Sequence, residues 1–289
     1  MAYLTPRSVD EALDLLRQHR LVIVAGCTDV LPAQRQGQRP AAVLDLSELP
    51  ALQGISHGPE GWRIGAATTW TEIARAALPP AMAGLQQAAR QVGAIQIQNA
   101  GTIGGNICNA SPAADGVPPL LTLNAEIEVA SVAGLRRVPL SRFITGPRRI
   151  DLAPDEIVTA VVIPQDAGAA GGAFLKLGAR SFMVISIAMV AAVLRVSAGR
   201  IVEARVAVGA CSAVAQRLTD FESDLEGRSL SDLAALLPDP ARHFAPLAPI
   251  SDVRATAAYR TGAAQELCRR ALLQAASVAE AEENRPDAR

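Results

Sequence analysis

The sequence predicts an α+β fold in which two small units are followed by a third domain. Three observations predict it. Helix-capping patterns stand before amphipathic segments, short apolar runs are bounded by Gly, Pro and Asn, and no internal repeat is visible. Half of the residues are apolar, which is enough for a sizeable core.

The first unit is predicted to end near residue 50. Ser8 and Glu11 form a capping-box pattern at the start of an amphipathic helix, SVDEALDLLRQH. LVIVAG follows as a fully buried strand, and AVLDLS is a second short strand after the polar turn CTDVLPAQRQGQRP. We expect a β–α–β-like unit.

The second unit begins at the strand GWRIGAATT. A capping box from Thr69 to Glu72 starts the helix TEIARAA. The later elements are a helix in AMAGLQQAARQVG, a helical patch in VPPLLTLN, and strands in EIEVASV, RRVPLSRFITG and DEIVTAVVIP. The glycine-rich segment 166–172 is predicted to be a flexible break at a domain boundary.

The third domain contains strands in GAFLKLGAR and IVEARVAVGAC. ISIAMVAAVLRV has no clear period, so both helix and strand stay open for it. Two helices follow, the last in ATAAYRTGAAQELCRRALLQAA, and the polar end AEAEENRPDAR is expected to fray. The predicted boundaries are 1–170, with subdomains of about 1–52 and 53–170, and 171–289.

Composition excludes several classes of function. A net charge of −1 without a basic block disfavours nucleic acid, and no apolar run reaches the roughly 18–20 residues of a membrane span. The N-terminus lacks the layout of a signal peptide, so we expect a cytoplasmic protein. With three histidines and no CxxC among Cys27, Cys108, Cys211 and Cys268, a zinc or iron–sulfur site held by this chain alone is disfavoured.

Two glycine-bearing turns are candidates for anion binding. The first is AGCTD, directly after LVIV, and the second is GTIGGN at 101–106. Glycine lets the backbone approach a ligand closely, and successive amides in such turns form concave anion sites. Two such turns from separate units could close on one pyrophosphate, although each is also compatible with an ordinary turn. Neither GxGxxG nor GxxxxGK[ST] is present, which disfavours the standard nucleotide folds.

Two charged side chains have open roles. Asp115, in the polar tail ASPAAD, is a candidate acceptor for ligand hydroxyls or an N-cap for the VPPLL turn. Lys176, in FLKLGAR, is a cation on a strand among alternating apolar neighbours, and an exposed lysine is the ordinary interpretation of such a position.

Together these stretches resemble the FAD-binding medium subunit of molybdenum hydroxylases, the family of xanthine and carbon monoxide dehydrogenases. The similarity spans residues 3–272. Its matching pieces are YLTPRSVDEALDLL, AGCTDV, TIGGNICNASPAAD, DEIVTAVVIP, FLKLGAR and PISDVRATAAYRTGAAQELCRRAL. The resemblance implies a vanillyl-oxidase-type (PCMH-like) FAD domain of two α/β subdomains. A C-terminal α+β domain of the CO dehydrogenase flavoprotein type, with a small antiparallel sheet, would follow.

The resemblance also implies a set of FAD-binding positions. For the pyrophosphate these are Val24, Ala25, Gly26, Cys27, Thr28, Asp29 and Val30 in the first turn, and Thr102, Gly104, Gly105 and Asn106 in the second. The family's ribityl-side aspartate corresponds to Asp115, the lysine beside the flavin to Lys176, and the backbone near the isoalloxazine to Val158. From this we expect Gly104→Val to expel FAD while leaving the fold largely intact.

The sequence departs from the family pattern at two places. Cys27 stands where AGGTD or AGGQS is more usual, which would cost about 1 kcal/mol if the position needs a positive φ. The family often has an aromatic side chain near the isoalloxazine, and here Phe182 or Met183 lies in that region. The cysteine-rich insertion of the 4-hydroxybenzoyl-CoA reductases is absent.

The implied function is that of an oxidoreductase subunit. FAD would collect electrons from [2Fe-2S] clusters in a small partner and pass them to NAD+, O2 or another acceptor. A large molybdopterin-binding partner would hydroxylate the substrate, and the complex would be a dimer of heterotrimers resembling xanthine dehydrogenase. No catalytic residue is assigned to this chain. The alternatives are a free-standing flavoprotein oxidase and an FAD-less assembly subunit.

Overall fold

The computed structural model describes residues 2–30, 42–165 and 170–285. Its helices are α1 (Val9–Gln18), α2 (Trp70–Arg75), α3 (Ala83–Ala89), α4 (Ile95–Ala100), α5 (Ile103–Asn109), α6 (Val117–Thr122), α7 (Leu140–Phe143), α8 (Thr219–Leu225), α9 (Pro240–His243) and α10 (Ala257–Glu283). Short 3-10 turns cover Pro50–Leu52, Pro80–Met82 and Leu230–Ala235.

The strands form several separate sheets. They are β1 (Ala2–Leu4), β2 (Val22–Val24), β3 (Ala42–Asp45), β4 (Ile55–Gly58), β5 (Gly61–Gly65), β6 (Glu126–Ser131), β7 (Gly134–Pro139), β8 (Ile144–Gly146), β9 (Arg149–Ile150), β10 (Ile157–Pro164), β11 (Ala170–Leu177), β12 (Ala188–Ser197), β13 (Arg200–Gly209) and β14 (Gln216–Arg217).

The N-terminal unit is a three-stranded parallel sheet in the order β1-β3-β2 with helix α1. The predicted helix and second strand are confirmed, and Ser8 caps α1 by accepting a hydrogen bond of 3.1 Å from the Glu11 amide. The prediction that LVIV is fully buried is wrong, because β2 lies at the edge of the sheet and Val22 is 42% exposed. An apolar run does not distinguish an edge strand from a central one.

The central unit is a five-stranded antiparallel sheet in the order β4-β5-β10-β6-β7. Helices on one face bury Trp70, Leu85 and Phe143, and the predicted capping box of α2 is present in full. The patch VPPLLTLN forms α6, as predicted. The RRVPLSRFITG segment is only partly a strand, since α7 separates β7 from β8.

The prediction of a flexible break in the glycine-rich segment 166–172 is wrong for the residues that the structure describes. Residues 166–169 lie outside the described ranges, but Gly171 and Gly172 belong to β11. A Cβ at either position would lie 2.2 Å from a backbone oxygen, of Ala275 for Gly171 and of Ala81 for Gly172. These glycines therefore allow close packing between elements and do not mark a flexible linker.

The C-terminal part is an antiparallel sheet of four strands, β11-β12-β13-β14, covered by the long helix α10. The segment left open in the sequence, ISIAMVAAVLRV, supplies strand β12. The part of the predicted frayed end that the structure describes is mostly helical, because α10 continues to Glu283 and buries Ala279 completely; residues 286–289 lie outside the described ranges. The predicted domain boundaries remain predictions.

No helix among the described residues is long and apolar enough to cross a membrane. The cytoplasmic location expected from the sequence remains a prediction.

Candidate functional site

Two adjoining clefts lie between the N-terminal and central units. The turn that follows β2 forms one wall, and helix α5 with the preceding loop forms the other. The larger cleft, of about 300 Å³, is lined among others by every residue from Val24 to Val30 and by Thr102, Gly105 and Asn106. The smaller, of about 140 Å³, is lined among others by Val24, Ala25, Gly104, Gly105 and Val158. Twelve of the sequence-predicted positions thus meet at this pair of clefts, and Asp115 and Lys176 lie outside it.

The first turn presents backbone donors to the larger cleft. Within the described part of the chain, no protein acceptor pairs with the amides of Gly26, Cys27, Thr28 and Asp29. Gly26 is required by packing, since a Cβ there would lie 1.7 Å from the Ala100 oxygen. This wall can therefore donate several hydrogen bonds to an anion.

Cys27 has a left-handed backbone, with φ of 56°. Its thiol lies near the Asp45 carboxylate, and burial together with that negative charge raises the pKa of Cys27. Burial also raises the pKa of Cys108, on the opposite wall, to about 12. Both thiols stay protonated near neutral pH, so neither is a nucleophile for covalent chemistry in the cleft.

The second glycine stretch is not a turn. Thr102 caps helix α5, and Gly104 and Gly105 lie in its first turn. The amides of residues 103–106 donate to protein acceptors, which are Thr68 O, Ala66 O, Thr102 Oγ1 and Thr102 O. The prediction that this stretch forms an open amide cradle is therefore wrong, because capping and packing of the helix use those donors.

The two glycines of α5 have different roles. A Cβ on Gly104 would lie 2.7 Å from both Cβ and O of Ala66, so this glycine lets the helix pack against the end of β5. Gly105 is exposed, and a Cβ there would meet only Thr102 Oγ1, at 3.0 Å. Only Gly105 keeps space open in the clefts themselves.

Asn106 carries an unsatisfied buried atom. Its Oδ1 has no hydrogen-bond partner among the described residues, although it is shielded from solvent. A Cβ added to Gly116 would lie 3.0 Å from this oxygen and 2.5 Å from the Trp70 ring. Asn106 lines the larger cleft, but this oxygen is an acceptor that solvent does not reach, so it offers no hydrogen bond to an anion there.

Asp115 and Lys176 form a buried ion pair. Lys176 Nζ lies 2.5 Å from Asp115 Oδ2 and 3.3 Å from the Gln91 carbonyl oxygen, and Ser186 Oγ donates to Asp115 Oδ1 at 2.5 Å. The two side chains are 6% and 8% exposed, for lysine and aspartate respectively. Burial raises the pKa of Asp115, against the opposing effects of the Lys176 charge and the two hydrogen bonds.

This geometry rules out the ordinary roles left open for both residues. Gly116 stands at the N-cap of α6, and Asp115 makes no cap hydrogen bond there. Lys176 is not a surface lysine. The pair is linked to the larger cleft through Gln91, whose neighbour Val92 lines it.

The candidates for covering a flavin ring are both exposed. Phe182 is 65% and Met183 is 61% exposed, and Met183 has a φ of 51°. The Met183 amide donates to the Gly93 carbonyl oxygen at 3.3 Å, which places the segment 180–183 beside Val92 and Ile97 of the larger cleft.

Sequence reasoning missed several residues of the site. Trp70 and Cys108 line the larger cleft, and Gln91 and Ser186 bind the buried ion pair. Trp70 had a signal, since it follows the N-cap Thr69 and lies at the first position of α2. The others depend on contacts between distant segments, which a single sequence does not reveal.

The residues fit FAD as a ligand. Unpaired amides and the Thr28 hydroxyl on one wall, with the Thr102 hydroxyl on the other, supply polar partners without a basic side chain. The adjoining cleft is mainly apolar, with Leu46, Leu52, Ile157 and Val158 among its lining residues. Pyrophosphate groups bind to such amides, and a planar ring needs an apolar slot.

Two family models match consecutive parts of the chain. The FAD binding domain in molybdopterin dehydrogenase matches residues 1–166, and the CO dehydrogenase flavoprotein C-terminal domain matches residues 173–275.

Curated relatives match over nearly the full length. The nicotine 6-hydroxylase medium subunit of Paenarthrobacter nicotinovorans is 35% identical over 278 residues, covering 94% of this chain and 96% of that protein. A putative xanthine dehydrogenase FAD-binding subunit of Escherichia coli is 31% identical over 283 residues, covering 96% and 97%.

Solved structures share the fold. Reconstituted CO dehydrogenase from Oligotropha carboxidovorans has a chain with a TM-score of 0.88 at 27% identity, covering 96% of this chain and 98% of its own. Quinoline 2-oxidoreductase from Pseudomonas putida 86 has one with a TM-score of 0.87 at 27% identity and the same coverage. The α+β fold class predicted from the sequence is confirmed.

These matches confirm the predicted family, the FAD cofactor and the oxidoreductase role. In complexes of this family, other subunits carry molybdopterin and iron–sulfur clusters. The chain belongs to the FAD-binding medium subunits of the molybdenum hydroxylases.

Proposed function

We propose that this chain takes electrons from [2Fe-2S] clusters of a small partner subunit and passes them, through FAD, to NAD+, O2 or another acceptor. A large partner subunit with molybdopterin would oxidise the substrate. The observation that carries the proposal is the meeting of the first turn and helix α5 at one pair of clefts, with unpaired amides at residues 26–29.

Bound FAD supplies the redox chemistry, since a flavin accepts electrons singly and releases them in pairs. The role of this chain is to bind and orient it. The amides of residues 26–29 and the Thr28 hydroxyl would hold the pyrophosphate. The Thr102 hydroxyl accepts from the Gly105 amide and keeps its own proton to donate. Val158 and its apolar neighbours would exclude water from the ring.

The family resemblance assigns Lys176 and Asp115 to the flavin, so this pair, although it lines neither cleft, would set the charge near the ring. A cation there favours the anionic reduced flavin and raises its potential. Because Asp115 neutralises Lys176 at 2.5 Å, the pair together has a much smaller effect than the lysine alone.

The substrate belongs to the partner subunit, so only its class can be proposed from relatives. By name, three of them act on nicotine, xanthine and nicotinate, which are all N-heteroaromatic compounds. We therefore propose an N-heteroaromatic substrate, with a xanthine dehydrogenase-type complex as the specific candidate. The proposed assembly is a cytoplasmic dimer of heterotrimers, with NAD+ as a candidate acceptor.

Co-purification tests the proposal. The chain is tagged and expressed in its native background, and the visible spectrum and the subunits of the purified material are recorded. We expect non-covalent FAD together with a large molybdenum subunit and a small iron–sulfur subunit.

Two other outcomes would contradict the proposal. FAD without partners, with substrate turnover by this chain alone, would show a free-standing oxidase. Partners without flavin would show an assembly subunit that has lost its cofactor.

A further inference from the structure

Ser186 contacts the buried pair of Asp115 and Lys176, and the segment that carries it is held by Arg260 at the start of α10. Its side chain is buried, at 2% exposure for the residue, and it donates to Asp115 Oδ1 at 2.5 Å. It stands in the segment between β11 and β12, far along the chain from Asp115. No cap, turn or strand pairing requires a hydroxyl at this position among the described residues.

The carboxylate of Asp115 is held at both oxygens. Lys176 binds Oδ2 and Ser186 binds Oδ1, so rotation of the carboxylate would break one bond or the other. Lys176 is fixed in turn by the Gln91 carbonyl oxygen at 3.3 Å. A carboxylate this deeply buried stays ionised only if its hydrogen-bond partners offset the loss of water.

The position of Ser186 is itself rigid. The next residue, Ile187, donates from its amide to the Leu177 oxygen at 2.7 Å and accepts from Arg260 Nη1 at 2.5 Å. Arg260 is buried and is paired with Asp252 at 2.7 Å. The start of α10 thereby fixes the backbone that carries the Ser186 hydroxyl.

We propose that Ser186 is a positioning residue of the flavin site, whose hydroxyl holds the Asp115 carboxylate ionised against Lys176. It thereby sets the net charge that this buried pair presents to the flavin. The inference rests on the proposed function, because it requires FAD to bind close to the pair.

The direction of its effect follows from the charges. Without the hydroxyl, Asp115 Oδ1 is buried without a donor, and the neutral acid becomes more favourable. The pair then changes from nearly neutral toward a net positive charge. A positive charge beside the ring stabilises the reduced, anionic flavin, so the midpoint potential rises.

The test measures the FAD midpoint potential of the purified complex. The variants are Ser186→Ala, Asp115→Asn, Lys176→Met and, as a matched control, Ser212→Ala. Ser212 and Ser186 line the same cleft of about 440 Å³, but the Ser212 hydroxyl donates to the Val214 oxygen and does not contact the pair. Ser186→Cys, which keeps the side-chain size with a weaker donor, is the second variant if the alanine variant does not fold.

We expect Ser186→Ala to shift the potential upward, in the same direction as Asp115→Asn and opposite to Lys176→Met. Ser212→Ala should leave it unchanged, and Ser186→Cys should give a smaller upward shift. An unchanged potential in Ser186→Ala, or an equal shift in Ser212→Ala, would overturn the proposal.

One further set of results distinguishes a failure of the Ser186 proposal from a failure of the proposed function. If Asp115→Asn and Lys176→Met also leave the potential unchanged, the pair is not beside the flavin and the role of Ser186 is refuted. Stoichiometric FAD and both partners in the same preparations would then leave the proposed function standing. A wild-type complex without FAD would refute the function itself.

Discussion

Lys176 and Asp115, which lie 61 residues apart in the chain, form a buried ion pair with 2.5 Å between Nζ and Oδ2. The family resemblance assigns them to flavin contacts separately. The structure shows that each is the main charged partner of the other. A change at either residue therefore alters the charge of both, and experiments on one must be interpreted with the other.

The pair should show strong coupling in unfolding experiments. Removing one partner of a buried pair leaves an uncompensated charge, so we expect Lys176→Met and Asp115→Asn each to cost about 3 kcal/mol of unfolding free energy. The double variant should lose at least about 1 kcal/mol less than the sum of the two. Urea unfolding of the apoprotein measures this cycle.

The exposed pair of Arg17 and Asp14 is the control, with side chains 59% and 62% exposed. Asp14→Asn should change stability by less than about 1 kcal/mol. Additive losses at Lys176 and Asp115 would show that the buried pair does not form.

Lys176→Met should also change how stability depends on pH. Burial already raises the pKa of Asp115 above its ordinary 3.8, and loss of the Lys176 charge raises it further. Above pH 3.8 the unfolded chain loses this proton first, so the stability of the variant should fall as pH rises toward the native pKa. We expect a steeper decline than in the wild-type apoprotein, measured as unfolding free energy from pH 4 upward. Parallel curves would contradict this.

The two glycines of α5 should respond differently to substitution. Gly104→Val places side-chain atoms against Ala66, so it should lower the thermal midpoint as well as the FAD content, contrary to the expectation from sequence that the fold stays largely intact. Gly105→Val extends into the clefts and should reduce FAD content with a much smaller loss of stability.

Flavin absorbance per protein measures the loss of FAD binding, and thermal unfolding of the apoprotein measures the loss of stability. Gly262→Val, at a helical glycine with open space around it, controls for the β-branched residue in a helix. Full FAD content in Gly105→Val would remove that position from the site.

Cys27→Gly should stabilise the apoprotein. A non-glycine residue at φ 56° costs roughly 1–2 kcal/mol of strain, which glycine removes. The greater conformational entropy of glycine in the unfolded chain offsets about 0.5–1 kcal/mol of that gain. We expect a net gain of about 0.5–1 kcal/mol with FAD binding retained. Cys108→Gly, in helix α5, is the control and should destabilise. A loss of stability in Cys27→Gly would show that the thiol makes contacts worth more than the strain.

Trp70 should report FAD binding by fluorescence. It lines the larger cleft, whereas Trp62, the other tryptophan, lies on strand β5 outside it. Flavin absorption overlaps tryptophan emission, so FAD should quench the nearer residue more strongly. We expect the quenching to fall in Trp70→Phe and to persist in Trp62→Phe, at FAD concentrations that saturate both variants. Equal quenching in the two variants would place FAD elsewhere.

Local sequence patterns alone determined several helices and strands of this protein, and its family. The caps at Ser8 and Thr69 predicted α1 and α2 because a cap is decided by residues three positions apart. The strands β3, β6, β10 and β13 followed from short-range patterning. Ordered motifs over residues 3–272 identified the family, because such stretches are individually specific.

Only the tertiary structure decided the rest. Whether a strand lies at the edge or in the centre of a sheet decides how far it is buried. LVIV contributes a half-exposed edge strand for this reason. Helix packing against Ala66 and Thr68 used the amides of the second glycine stretch, which left the first turn as the donor wall. The charge of the flavin site depends on Asp115, Lys176 and Ser186 meeting from distant segments. Such long-range contacts form only when the whole chain packs, and no local pattern in the sequence encodes them.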